Sequence, residues 1–286
     1  SVTGLILNAL LLYAIRRFSG ANLGSYKYLL TIFSLVDLFL IVLHVTVQPM
    51  WYKKQNISTF PKIIDQNLFE KVTTMYVGFQ SVPFTLLSIH FLYRYWSVRR
   101  PHLIPLFSNK SFVVFLASLT VGELFSWHFL CLYTSSGHDA SNATAAVVAK
   151  YESIYGKHIE NAWIVMDNWP DGTFDVTLFT ITVLMDVIML TNLVVASSFA
   201  ILTFMHIRQS YKTAARASEL QQKLLLALCA QAAIPCLFVY TPFLFCINAP
   251  FVGIPGAWIP DISAPLMSFF PAWDAAIILL LFTDYR

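Results

Sequence analysis

Six side chains in this sequence carry charge or strong polarity inside long apolar runs: Asn8, Asp37, Arg94, Glu123, Asp186 and Asp274. Carboxyls in such a setting can share a proton, a water or a cation, and an arginine there is costly unless it has a task or a route to water. Residues suited to covalent chemistry are missing: there is no HExxH, GxSxG or Walker loop, and no aspartate pair spaced as in an intramembrane protease. His44, His90 and His128 fall on three different apolar runs at unlike depths, whereas a metal site needs them to converge. Cys229, Cys236 and Cys246 lie seven and ten residues apart, which fits neither CxxC chemistry nor zinc. Together with Cys131 they read as small buried hydrophobes. Neither an enzyme nor a bound cofactor is expected.

The elements that must hold these groups are membrane spans. The chain has 286 residues, 57% of them hydrophobic and 12% charged, with a mean hydropathy of +0.66. A soluble domain carries about 25% charged residues. Apolar character comes in runs of about 20 residues, enough to cross a bilayer. The expected fold is an all-α bundle of seven transmembrane helices forming a single domain, at about 2–15, 28–47, 72–93, 111–133, 178–207, 224–247 and 259–282. The first is short, so the chain looks cut at its start, and its end looks cut just past the last span. Pro83 should bend the third span. Apolar character before the fifth reaches back to Phe174, so residues 174–185 form either a helical extension or a lid. No repeat of 20–50 residues supports an inverted-repeat transporter.

Loop charges set the orientation. With the start outside, the inner side carries Arg16, Arg17, Lys27, Arg94, Arg99, Arg100, Lys110, Arg208, Lys212, Arg216, Lys223 and Arg286 against Glu219 and Asp284. The outer side is acidic overall, with only the lysines of residues 51–71 in dissent. The positive-inside rule therefore places the start outside and the tail in the cytoplasm. Two glycosylation sequons, at Asn56 and Asn142, fall in the long outer loops, and a third, at Asn109, falls inside. The basic residues form no stripe on one face, so nucleic acid is not an expected partner.

At 1.5 Å of rise per residue, Asn8, Asp37 and Asp274 lie about 12, 14 and 15 Å from the cytoplasmic edge. Three spans thus put a polar group in one layer, and sharing between the two carboxyls would offset the cost of burying them. Separate helix-packing hydrogen bonds would account for the same residues. Asp186 sits about 33 Å up, near the outer interface, and Glu123 about 18 Å deep, where a bond to a neighbouring span is expected.

Several motifs carry a resemblance. They are Phe91-Leu92-Tyr93-Arg94-Tyr95 with Arg100-Pro101, Val47-Gln48-Pro49, Gln231-Ala232-Ala233-Ile234-Pro235, and Pro271-Ala272-Trp273-Asp274 with Asp284-Tyr285-Arg286. Over essentially its whole length the chain resembles the nematode serpentine chemoreceptors of the str class, which are G-protein-coupled receptors. The resemblance implies that Arg94 holds the inner helix ends closed and meets the G protein when they open. Tyr93 stands where the wider group has an acid, so the usual ionic neighbour is missing. It also implies that Asn8, Asp37 and Asp274 form a polar switch and that Tyr240-Thr241-Pro242 is the toggle region of the sixth span. No cysteine stands at the outer end of the third span, near Met75 and Tyr76, or in the long outer loop.

A small extracellular molecule such as an odorant would then bind among Tyr76, Phe79, Gln80, Asp186, Tyr240, Phe243, Met267 and Phe270. Pockets of this kind are mostly apolar with a few directing polar groups. Pro235 and Pro242 weaken the sixth span, making it the natural moving element. Coupling to a heterotrimeric G protein, inhibitory-type by resemblance, would use Arg94, Tyr95, Arg99, Arg100, Lys212, Arg216 and Lys223. Membrane lipid surrounds the bundle, and the expected location is the plasma membrane, in sensory cilia. The reading from another class is a ligand-gated channel or transporter that uses the Asp37–Asp274 layer as an ion path; an orphan structural membrane protein is the third.

Overall fold

The computed structural model describes residues 2–18, 26–52, 66–136, 172–210, 236–252 and 269–280, with isolated positions 149, 153 and 169 and several between 222 and 233. Regular structure among the described residues is helical: α1 Val2–Phe18, α2 Tyr26–Tyr52, α3 Gln66–Phe79, α4 Val82–Arg99, α5 Lys110–Ser136 and α6 Val176–Ser210. A π-helical turn, Cys236–Tyr240, leads into α7, Thr241–Asn248, and α8 covers Phe269–Leu280. Among the described residues, four stretches are long and apolar enough to span: Tyr26–Val45, Lys71–Arg99, Lys110–Thr134 and Val176–Gln209.

Local chemistry sets the ends of these helices. Asp175 caps α6, its Oδ1 accepting from the backbone N–H groups of Thr177 at 2.8 Å and Leu178 at 2.9 Å. Asn109 does the same for α5 through Ser111 at 2.9 Å. The inner sequon is thus a helix cap. The apolar stretch 174–207 resolves into the outer start and body of one helix of 35 residues. At about 52 Å it outruns the hydrocarbon core of about 30 Å, so the extension holds and the lid does not. Along it, Thr180, Thr182, Thr191 and Thr203 donate to the carbonyl four residues back, which satisfies the hydroxyls within the helix itself.

The third span differs from one bent helix at 72–93. It breaks at Gln80 and Ser81, before Pro83, and resumes as α4. Pro83 has no N–H, and its ring clashes with the carbonyl four residues earlier. At the break, Ser81 Oγ and the Ser81 backbone N–H both donate to the Gly78 carbonyl, at 2.8 and 3.1 Å. Gly78 is needed where it stands: a Cβ there would lie 2.8 Å from the backbone oxygen of Leu124 in the fourth span. The helix then runs on to Arg99, and Pro101 opens a 3-10 stretch, Pro101–Ser108. Similarly, α2 carries through Pro49 to Tyr52.

Helix α4 is the axis of the bundle. Every residue from Val82 to Phe91 is buried, with α2, α5 and α6 packed around it. By contrast α5 exposes Val113, Val114, Phe115 and Leu119, a continuous apolar face that suits lipid rather than water. Apolar clusters fill the interior. One joins Phe84, Trp127, Met185, Met189, Tyr240 and Phe270. A second joins Leu11, Tyr26, Leu30, Tyr93, Ala275 and Ile278.

Candidate functional site

The polar layer forms where the first, second and seventh spans meet. Asn8, Ser34, Asp37 and Asp274 are each fully buried. Asn8 Nδ2 donates to the Pro271 carbonyl at 2.8 Å and to Gly4 at 3.0 Å, which ties the first span to the seventh. The Asp37 carboxyl faces that of Asp274, and among the described residues no N–H or hydroxyl donor reaches either Asp37 oxygen. Two adjoining carboxylates away from water repel one another, so the pair calls for a proton or a cation between them.

At the inner end of the third span, Arg94 is only 5% exposed. The helix continues past it to Arg99, so it lies over a turn deeper than a span ending at residue 93 would place it. The guanidinium lies over the Tyr26 ring, 3.9 Å from its centroid, a cation–π contact of the desolvated kind. Tyr26 also meets Tyr93 at 5.3 Å. Trp96 and Tyr93 both meet Phe107 of the 3-10 stretch, at 5.6 and 5.0 Å, which closes an aromatic collar around the inner end. Tyr95 leans on Phe199. Arg99 reaches His206 at 3.3 Å on the exposed rim, and Arg100 is exposed beside it.

Between the third, fifth and sixth spans lies a cavity of about 250 Å³. Its wall is Phe84, Leu87 and Phe91 from α4, Asn192, Leu193, Ala196, Ser197 and Ala200 from α6, and Cys229, Ala232, Ala233, Cys236 and Tyr240 from the sixth span. Phe84 stacks on Tyr240 at 3.5 Å between centroids and 14° between planes. The π turn ends at this tyrosine, and Thr241 Oγ1 donates to the Cys236 carbonyl at 2.8 Å. Turns of this type, followed by a proline, mark hinges. Glu123 anchors the wall from the fourth span: its two oxygens accept from Thr85 Oγ1 and Asn192 Nδ2, each at 2.6 Å. That carboxyl thereby holds three spans in register.

Comparison with known proteins decides what kind of bundle this is. The family described as "Serpentine type 7TM GPCR chemoreceptor Str" matches residues 1–286. The chain belongs to that family. It is 23% identical to "Serpentine receptor class r-10" of Caenorhabditis briggsae, over 98% of this chain and 84% of that protein. The Caenorhabditis elegans protein of the same name is also 23% identical, over 93% and 81%. "G-protein coupled receptor str-33" of C. elegans is 21% identical, over 100% and 86%. The protein is therefore a multi-pass membrane receptor of the GPCR type with a seven-transmembrane fold, and its family is one of receptors rather than enzymes.

Within this Str receptor, the residues expected to line a ligand pocket divide into groups. Tyr240, Phe243 and Phe270 come together around Trp127 and Phe84. Tyr76 and Phe79 engage the second span instead: His44 Nδ1 and the Tyr76 hydroxyl are 2.6 Å apart, and Phe79 meets Phe39 at 4.8 Å. At that turn of the third span it is Val77 that packs toward the central cluster. Gln80 sits in the helix break. Asp186 accepts from Asn248 Nδ2 at 3.1 Å, linking the fifth and sixth spans near the outer side. Met267, Lys212, Arg216, Lys223, Asn56 and Asn142 lie outside the described residues. Sequence reasoning did not single out Asn192 or Tyr26. Asn192, a strongly polar side chain deep in a 35-residue apolar helix, was the legible signal; Tyr26 gave none, since nothing in its spacing points to Arg94.

Proposed function

We propose that this receptor is chemosensory: it binds a small extracellular molecule beside the Phe84–Tyr240 stack and activates a heterotrimeric G protein of the inhibitory type. The observation that carries the proposal is the stack itself. It joins the rigid, buried third span to the sixth span at the end of the π turn, next to Pro242. A ligand wedged against Tyr240, Phe243 and Phe270 would favour one arrangement of that joint over the other, as any transmitted signal requires. Downstream, Arg94, Tyr95, Arg99 and Arg100 would meet the G protein, together with Lys212, Arg216 and Lys223. The polar layer of Asn8, Asp37 and Asp274 would act as the switch between the two arrangements. The location proposed is the plasma membrane of sensory cilia, with glycans at Asn56 and Asn142 on the outer side.

The test is nucleotide exchange on a purified inhibitory-type G protein, with the receptor in lipid nanodiscs and a panel of odorants and metabolites. Ligand-stimulated exchange supports the proposal. Ligand-gated current that persists without any G protein would instead favour a channel or transporter built on the carboxyl pair. Asp37→Asn and Asp274→Asn should each lower stimulated exchange about tenfold, a difference of 1.4 kcal/mol between states, while surface expression changes less than twofold. Equal loss of expression and exchange would make the pair a folding element only.

A further inference from the structure

We infer that the cavity below the Phe84–Tyr240 stack is a second binding site, for a small uncharged apolar molecule with one hydrogen-bonding end, reached from the bilayer between the fifth and sixth spans. The site differs from the outer pocket proposed above. Tyr240 and Phe84 form its roof, and the lining descends toward the cytoplasm through Leu87, Phe91, Ala196, Ala200, Cys229 and Ala232. Phe91 lies three residues before Arg94, so the floor is about 5 Å above that arginine.

Its chemistry selects the occupant. Among the described residues, no ionisable acid or base other than two thiols and one phenol lines it, so a charged molecule would enter unpaired at a cost of several kcal/mol. Small side chains make up most of the fifth- and sixth-span walls, which is why the helices leave room there. Polar capacity gathers at the upper end, where Asn192 and the Tyr240 phenol face the space. Asn192 is held in place by Glu123 at 2.6 Å, so its amide is presented by a fixed frame rather than a loose rotamer. Glu123 spends its oxygens on Thr85 and Asn192 and stays behind the wall. The volume, about 250 Å³, exceeds the roughly 150 Å³ that suffices for benzene in an engineered apolar cavity, but is too small for a lipid tail. On the rim, Leu193, Ser197 and Ala233 are exposed on the lipid-facing side. The way in is therefore lateral, and a molecule that partitions into membrane arrives already concentrated.

The experiment uses an eight-carbon alcohol bearing an alkyl diazirine, photolysed with the receptor in nanodiscs, followed by peptide mapping. Labelling should concentrate on residues 193–200 and 229–240, fall at least fivefold with excess unlabelled octanol, and be unaffected by octanoate. Ala196→Phe and Ala232→Leu, which fill the space, should each remove the label while the melting temperature stays within a few degrees. Phe243→Ala, in the outer pocket, should leave it unchanged. Label spread evenly over lipid-facing positions such as Val113 and Val114, or retained in both filled variants, would overturn the inference. So would displacement by octanoate as effective as by octanol. G-protein exchange is not read in this experiment, so the outer-pocket proposal can fail without affecting it.

Discussion

The two sides of the bundle are sealed by opposite means. Where the first, second and seventh spans meet, polar groups do the sealing: Asn8 bonds to the Pro271 carbonyl, and two buried carboxyls face each other. Where the third, fifth and sixth spans meet, small side chains surround a cavity, and the sixth helix is loosened by a π turn and a proline. Membrane helices associate through close packing and interhelical hydrogen bonds, not through expulsion of water. The first side is tied from span to span by its polar groups and should hold its shape. On the second, Glu123 fixes the third span to the fourth and fifth, and the sixth helix, with its π turn beside the cavity, is the element free to change. The first side reads as the fulcrum and the second as the lever. Arg94 stands between them, projecting from the third span onto a ring of the second.

If that division is right, the largest effect comes from removing the group that joins the two sides to the partner. Arg94→Ala should reduce ligand-stimulated nucleotide exchange to the basal rate while ligand affinity stays within about threefold, a coupling of under 1 kcal/mol. Radioligand binding and exchange on the same nanodisc preparation separate the two. Unchanged exchange would place the coupling elsewhere and remove Arg94 from the signalling path.

The fulcrum is tested by Asn8→Ala. The Pro271 carbonyl keeps its intrahelical donor but loses the Asn8 bond that ties the first span to the seventh, which costs about 0.5–1.5 kcal/mol. The melting temperature should fall by several degrees with basal exchange little altered. A rise in basal exchange with no loss of stability would mean that the first–seventh contact belongs to the moving part, and the two sides would no longer be distinct.

How far the sequence revealed this division depends on which physical signal each residue leaves. Depth along a helix is counted from its charged ends, so Asn8, Asp37 and Asp274 were legible as one layer, and the structure joins Asn8 to the seventh span and Asp37 to Asp274. Rotation about the axis was far less legible. The apolar residues of a membrane helix face lipid as readily as they face neighbours, so Tyr76 and Phe79 looked as suitable for a central pocket as Val77, which packs there. The break at Gln80 and Ser81 also resets the phase of the third span, and a single proline does not say on which side of itself the helix will part. Tyr26 was hidden for another reason: a cation–π contact between distant segments has no spacing rule. Glu123 was expected to bond to a neighbouring span, but its partners Thr85 and Asn192 could be found only once three helices were assembled.

That aromatic contact supplies the next test. Arg94 has a ring beneath it and a tyrosine, not an acid, before it in the sequence, and a ring holds a cation with about 0.5–2 kcal/mol. Tyr26→Leu keeps the apolar bulk and removes the π face. The resting arrangement loses that much, and basal exchange should rise by between about twofold and thirtyfold. Tyr26→Phe retains the π face and should stay near the parent. If both variants behave alike, the hydroxyl or the packing matters rather than the cation–π contact.

The smallest effect is expected on the lever, and it discriminates most sharply. Thr241 Oγ1 donates to the Cys236 carbonyl across the π turn, adding a second donor to the acceptor that the i→i+5 pattern engages. Thr241→Val preserves shape and removes the donor. Hydrogen bonds of this kind in membrane helices are worth about 0.6 kcal/mol on average, so stability should scarcely move, with a melting temperature within about 2 °C of the parent. The hinge geometry is another matter. With one of that carbonyl's two donors gone, the π register loses part of its advantage over an α-helical turn, and tightening rotates Cys236 and the wall below it relative to Tyr240. The half-maximal concentration for ligand-stimulated exchange should therefore shift about threefold, the equivalent of that 0.6 kcal/mol. Removing one hydrogen bond would then alter stability at Asn8 and signalling at Thr241. If Thr241→Val lowers the melting temperature as much as Asn8→Ala does and leaves the dose response in place, the sixth span is no looser than the first, and the contrast between fulcrum and lever fails.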